Sequence, residues 1–130
     1  MDPQDTPNTN RRVLIVEDEH FISELYVRAL TKAGYEVTTE VDGARGLALA
    51  QTDKFDIILL DLMVPTMTGI DVLHHLRGPG APALKAKIVI TTNLEQREET
   101  RDNIEKQADA YLVKAEITPR ELVQFLGTIR

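Results

Sequence analysis

Four short stretches of the 130-residue sequence carry side chains that could do chemistry together: Glu17-Asp18-Glu19, Asp61, Thr91-Thr92-Asn93 and Lys114. Each follows directly on an apolar run: Val13-Leu14-Ile15-Val16, Ile57-Ile58-Leu59-Leu60, Ile88-Val89-Ile90 and Tyr111-Leu112-Val113. If these runs are strands of one parallel sheet, then carboxylates, a hydroxyl and one ammonium converge beyond the carboxyl ends, where open α/β sheets bind their ligands. Asp18 and Asp61 crowded at one mouth repel each other, and either protonation or a hard divalent cation relieves the repulsion. Mg²⁺ suits such a site because it takes one or two carboxylates and keeps waters that a phosphoryl oxygen can replace. Asp61, closing a buried apolar strand, could also act as a carboxylate nucleophile that takes a phosphoryl group as an acyl phosphate. The first strand-to-helix turn is acidic where phosphate-cradling turns offer glycine, serine and free amides, which disfavours a nucleotide or flavin site.

The elements that must position these groups are legible in the hydrophobic pattern. After Val13–Val16, a helical period places Ile22, Leu25, Tyr26, Ala29 and Leu30 on one face, and Gly34 ends that helix. Residues 36–41 alternate polar and apolar like a strand near a sheet edge, and Asp42 can cap a short helix carrying Leu47 and Leu49. The run from Phe55 to Leu60 is continuous enough for a central parallel strand buried on both faces. Thr68 can cap a helix bearing Val72, Leu73 and Leu76 that stops at Gly78-Pro79-Gly80. A strand at 88–91 follows, then a charged helix with a capping-box-like start at Asn93 and Gln96, running through Gln107. Tyr111–Val113 is a short fifth strand. Thr118-Pro119-Arg120-Glu121 is a capping box with proline at the first helical position, and Leu122, Leu126 and Ile129 supply the buried face of the last helix. Strands alternating with helices throughout predict one α/β domain with a parallel sheet and helices on both faces.

Composition narrows the function classes. The chain has 15 Lys+Arg against 21 Asp+Glu, a net charge of -6, and no cysteine. A single domain of this size buries roughly two-thirds of its unfolded surface and needs no staple, and the lack of cysteine excludes disulfides and thiolate metal sites. The longest apolar runs fall far short of the ~20 residues of a membrane span. Residues 1–11 read as a disordered tail unlike a signal peptide, with the domain at 12–130 and a cytoplasmic location expected. The acidic balance, with no basic run, disfavours direct binding to nucleic acid.

Together these residues resemble the receiver domain of the two-component response regulators, over about Arg12 to Arg130. Val16-Glu17-Asp18-Glu19 is similar to that family's acidic pair, Leu59-Leu60-Asp61-Leu62-Met63-Val64-Pro65 to its phospho-acceptor segment, and Gly69 to the glycine that follows. Thr92 falls at the switch hydroxyl, Tyr111 at the aromatic switch position and Lys114 at the family's lysine. The resemblance implies a flavodoxin-like sheet of five strands in order 2-1-3-4-5 with five helices. It implies Mg²⁺ held by Asp18, Asp61 and the Met63 carbonyl, with Glu17 acting through a metal-bound water. Asp61 would take a phosphoryl group from a phospho-histidine of a sensor kinase or phosphotransfer protein. Lys114 would pair with the phosphoryl oxygens, Thr92 would swing toward them, and the surface of helix four, strand five and helix five would change. Self-phosphorylation from a phosphodonor and slow loss of the group would be its only chemistry, so the domain is not an enzyme in the ordinary sense. Partners implied are a downstream protein target or an output domain outside this sequence, and a homodimer on activation; neither membrane nor nucleic acid is contacted directly.

Two positions depart from the family pattern. Asn93 stands where alanine or glycine is usual, beside the path of the incoming group, and predicts slower transfer or an altered lifetime. Ala115 replaces a proline, so the Lys114–Ala115 peptide is expected trans with a rearranged loop, since a cis bond there is disfavoured by about 2.5 to 4 kcal/mol. These departures support an alternative, a receiver-like adaptor or dimerisation module that acts without phosphorylation. A haloacid-dehalogenase-type hydrolase would need a second aspartate where Met63 stands. Singly, each residue also has an ordinary explanation: Glu17–Glu19 as charge at a helix start, Thr92 as a cap, Tyr111 as a half-buried strand residue, Lys114 as a surface lysine. His74 and His75, about 100° apart on a helix, do not share a metal easily, and His20 is given no role.

Overall fold

The computed structural model describes residues 11–93 and 98–129, so the expected tail through residue 10 and the helix start at Gln96 lie outside the described residues. Strands β1 (Arg12–Val16), β2 (Glu36–Glu40), β3 (Ile57–Asp61), β4 (Lys87–Thr92) and β5 (Ala110–Val113) alternate with helices α1 (His20–Lys32), α2 (Gly43–Ala50), α3 (Gly69–Arg77), α4 (Glu98–Gln107) and α5 (Pro119–Leu126). The strands pair in parallel in the order β2-β1-β3-β4-β5, the doubly wound architecture expected from the sequence. Strand order reverses between β1 and β3, which makes their carboxyl ends the switch point of the sheet.

The period of two along each strand sorts the apolar side chains into two cores. Leu14, Val16, Ile58, Leu60, Ile88 and Ile90 pack with Val72, Leu73 and Leu76 of α3 and Ile104 of α4. Val13, Ile15, Ile57, Leu59 and Val89 face the other way, against Tyr26 and Leu30 of α1 and Leu122 and Leu126 of α5. Burial on both faces is why β3 reads as an unbroken apolar run. The same alternation continues past the strand ends, so Glu17, two residues after Ile15, and Asp61, two after Leu59, fall on the α1/α5 side. Lys114 keeps step with Ala110 and Leu112 on that side, whereas Tyr111 packs on the opposite core.

Helix ends follow local chemistry. The Asp42 side chain accepts from the Arg45 amide, and Thr68 from the Asp71 amide. Thr118 and Glu121 form the reciprocal capping box behind Pro119. Strand and helix limits differ from the sequence expectation by a residue or two. The larger difference is Ile129, expected on the face of α5: the helix stops at Leu126 with Gly127 as its cap, and Ile129 packs against the core from beyond it. Arg11, at the end of the expected tail, donates from Nη1 to the carbonyls of Leu126 and Ile129 and so ties the start of the described chain to the segment that ends α5. Leu49 is only partly buried on α2, where Gly43, Gly46, Leu47 and Ala50 make the close face. Among the described residues no helix is long and apolar enough to cross a membrane.

Candidate functional site

At the switch point, Glu17 and Asp18 follow β1 and Asp61 ends β3, and one carboxylate oxygen of each lies within 4.8 Å of the others. Glu17 and Asp61 are 2% and 1% exposed, whereas Asp18 faces solvent, so the cluster has a dry floor and one wet wall. Lys114 comes in from the end of β5, across β4. Its Nζ pairs with Glu17 Oε1 and lies 3.2 Å from Asp61 Oδ2. The remaining oxygens are also used: Glu17 Oε2 accepts from the Glu19 amide at 3.1 Å and Asp61 Oδ1 from the Met63 amide at 3.2 Å.

Charge in this site is out of balance, with three carboxylates against one ammonium. Burial pushes the Glu17 carboxyl up to about 7; the Lys114 ammonium opposes that shift and the Asp61 carboxylate adds to it. Burial alone would lower Lys114, but the carboxylates of Glu17 and Asp61 outweigh it and hold the ammonium above its ordinary value. A low-dielectric surrounding makes both effects strong. The donor set is all oxygen, contains two buried carboxylates and is open on the Asp18 side. That fits a hard cation such as Mg²⁺ with room for water, and it does not suit a thiophilic metal.

The loop after Asp61 is held from outside. Gly43 at the start of α2 donates to the Pro65 carbonyl at 2.9 Å, and the Ala44 amide donates to Thr66 Oγ1 at 3.2 Å. Gly69 closes the loop, and a Cβ there would sit 2.3 Å from the Asp61 carbonyl oxygen, so only glycine fits. Met63 is 69% exposed at the rim.

The other sequence-predicted residues are placed as follows. Thr92 ends β4 and is 1% exposed, one residue beyond Thr91, the partner of Asp61 in the ladder. Tyr111 of β5 pairs with Ile90 of β4 and is half-buried outside the acidic cluster, with the Arg101 guanidinium 4.8 Å from its ring centre. Described peptide bonds are all trans, Lys114–Ala115 included, and the chain turns through a short 3₁₀ helix at Lys114–Glu116. The altered loop nonetheless leaves Lys114 on its carboxylates. His74 and His75 are exposed, and His75 Nδ1 lies 2.8 Å from the Asp71 carbonyl. A contact that sequence reasoning missed joins Asn93 to Glu19, whose Oε1 accepts from Asn93 Nδ2 at 2.9 Å.

A parallel sheet in this order, with an oxygen-rich cluster and a buried lysine at its switch point, defines a receiver-like domain of the flavodoxin-like class. A family profile for the response regulator receiver domain matches residues 13–126, and the chain belongs to that family. It is 35% identical over 113 residues to the alkaline phosphatase synthesis transcriptional regulatory protein PhoP of Bacillus subtilis, covering 87% of this chain and 45% of that protein. It is 36% identical over 121 residues to the transcriptional regulatory protein CusR of Escherichia coli, covering 92% and 49%. The solved structure of the chemotaxis response regulator CheY4 of Vibrio cholerae superposes with a TM-score of 0.77 at 31% identity, covering 92% of this chain and 98% of that one. The receiver domain of Francisella response regulator 1452 gives 0.78 at 26% identity, covering 91% and 94%. The chain spans 32% to 50% of the length of the first curated relatives it matches. Receiver domains of this family are signalling switches of two-component systems rather than ordinary enzymes, and they bind Mg²⁺ at an acidic pocket.

Proposed function

We propose that this domain is a phosphorylation-operated switch in which Asp61 accepts a phosphoryl group from a phospho-histidine of a sensor kinase or phosphotransfer protein. The observation that carries the reading is the buried Asp61 carboxylate at the end of the central strand, 3.2 Å from the Lys114 ammonium and grouped with Glu17 and Asp18. In the transfer, an Asp61 oxygen bonds to phosphorus while the bond from phosphorus to the donor imidazole nitrogen breaks, and that nitrogen keeps the electron pair. Glu17, Asp18, Asp61 and the Met63 carbonyl are the groups that would hold Mg²⁺. When bound, the ion supplies positive charge that offsets the phosphoryl oxygens. Lys114 supplies the rest, positioned in advance by its two ion pairs, so the protein's contribution is orientation and charge neutralisation.

The product adds nearly two negative charges at the end of β3. Lys114 and the Thr92 hydroxyl are the groups that would respond, Lys114 by leaving Glu17 for the phosphoryl oxygens and Thr92 by turning toward them. A shift at Thr92 moves the start of the β4–α4 connection, and with it the α4–β5–α5 face that carries Tyr111. The names of the curated relatives, transcriptional regulators of about twice this length, support output through a DNA-binding module outside this sequence.

Intact mass after incubation with Mg²⁺ and acetyl phosphate tests the reading. A phosphoryl adduct is expected in the wild type, absent with chelator, absent in Asp61→Asn and labile to hydroxylamine. A folded wild type that gains no adduct, even from a competent phospho-histidine donor, would leave the phosphorylation-independent adaptor as the better account.

A further inference from the structure

We infer that the Glu19–Asn93 hydrogen bond is a strap across the mouth of the acidic site, and that it must open before Asp61 can exchange a phosphoryl group; this rests on the proposed function above. β1 and β4 are the two neighbours of β3 in the sheet. Glu19 lies on the turn after β1 and Asn93 directly after β4, so their 2.9 Å bond runs over the carboxyl end of β3, where Asp61 sits. Beneath the strap, Asp61 is 1% exposed, with Oδ1 on the Met63 amide and Oδ2 on Lys114. A donor in contact with the Asp61 carboxylate therefore needs the Glu19 and Asn93 side chains to part.

The strap is also tied to the groups below it. The Glu19 backbone amide donates to Glu17 Oε2, while Glu17 Oε1 pairs with Lys114. Its other anchor is one residue from Thr92. A displacement of Lys114 toward a phosphoryl group, or of Thr92, thus pulls on one end of the Glu19–Asn93 bond. Both partners are exposed, so the bond is of the modest kind that opens readily and regulates a rate without locking the site.

The test compares phosphorylation rates of the wild type, Asn93→Ala, Glu19→Ala, the double variant and Glu19→Gln, using Mg²⁺ and acetyl phosphate. In this reaction the Asp61 oxygen takes the phosphoryl group and acetate leaves. A strap that limits access predicts that each alanine variant reacts about three- to tenfold faster, the range in which one exposed hydrogen bond sets an opening equilibrium. The double variant should react no faster than either single one, and Glu19→Gln, which keeps an acceptor oxygen, should stay near the wild type. Equal rates in all five proteins, or additive effects of the two alanine changes, would overturn the strap while leaving Asp61 phosphorylation intact. Glu19→Gln matching Glu19→Ala would assign the effect to charge and likewise overturn it. No adduct in any of the five would instead sink the phosphorylation reading and the strap as its gate. Independently of phosphorylation, the side-chain amide protons of Asn93 in the metal-free wild type should exchange more slowly than in Glu19→Ala; identical exchange would show that the bond does not form in solution.

Discussion

Lys114 Nζ lies 3.2 Å from Asp61 Oδ2, reaching from the end of β5 past β4 to the central strand. The same ammonium pairs with Glu17 at the end of β1, so one cation links three strands across the switch point. Removing it leaves two buried carboxylates facing each other without compensation. For metal-free Lys114→Met at pH 8, a stability loss of about 3 kcal/mol is expected, the usual cost of breaking a buried ion pair from one side. The loss should shrink at pH 5, where Glu17 binds a proton. Urea denaturation at the two pH values checks this, and a loss that does not change with pH would contradict the pairing described.

Glu17 itself makes the metal-free domain sensitive to pH. Its carboxyl is raised from 4.5 to about 7 in the folded protein, chiefly by burial. Between those values the folded state holds a proton that the unfolded chain has lost, so the slope of unfolding free energy with pH is negative. Stability from this group is fully present below pH 4.5 and falls as pH rises toward 7. In EDTA, thermal midpoints should therefore decline across that window for the wild type, more steeply than for Glu17→Gln. Parallel profiles for the two proteins would count against a raised Glu17.

Gly69 sets the approach of α3 to the phospho-acceptor strand. A Cβ there would lie 2.3 Å from the Asp61 carbonyl oxygen, and that atom is backbone, unable to step aside without moving β3. Gly69→Ala should cost about 2 kcal/mol or more, in the range of overpacked sites. It should also weaken Mg²⁺ binding, because the displaced segment carries both Asp61 and Met63. Denaturation and a Mg²⁺ titration on the same variant test the two halves together. A variant of wild-type stability would show that the helix can shift at little cost.

Much of this was legible before any coordinates. The apolar runs mark four strands, and the groups that end them mark the mouth of the site, because a parallel sheet sends every carboxyl end the same way. Thr118, Pro119 and Glu121 announce α5 through chemistry local to four residues. The sorting of Glu17, Asp61 and Lys114 to one side of the sheet and Tyr111 to the other follows from the period of two only once the strands are paired and their faces fixed. What stayed hidden depends on side chains meeting over long separations. The Asn93–Glu19 bond spans 74 positions in the chain, and the bonds from Arg11 to Leu126 and Ile129 span 115 and 118. No local spacing encodes such contacts. The depth of Glu17 relative to Asp18 was also obscured, since adjacent acids look alike until the face of the strand is fixed.

Asp18 separates metal binding from folding. It is the exposed member of the acidic cluster, while Glu17 and Asp61 are buried and bound to Lys114. Its charge is therefore solvated, and removing it disrupts no described ion pair. Asp18→Asn should keep or slightly raise the stability of the metal-free protein, because one of three mutually repelling carboxylates is gone. Mg²⁺ affinity should fall at least about tenfold, since loss of even an outer partner of a metal ligand costs that much. Isothermal titration with Mg²⁺, alongside urea denaturation in EDTA, reads both quantities. An unchanged affinity would remove Asp18 from the proposed ligand set, and a large stability loss would show that its carboxylate supports the fold.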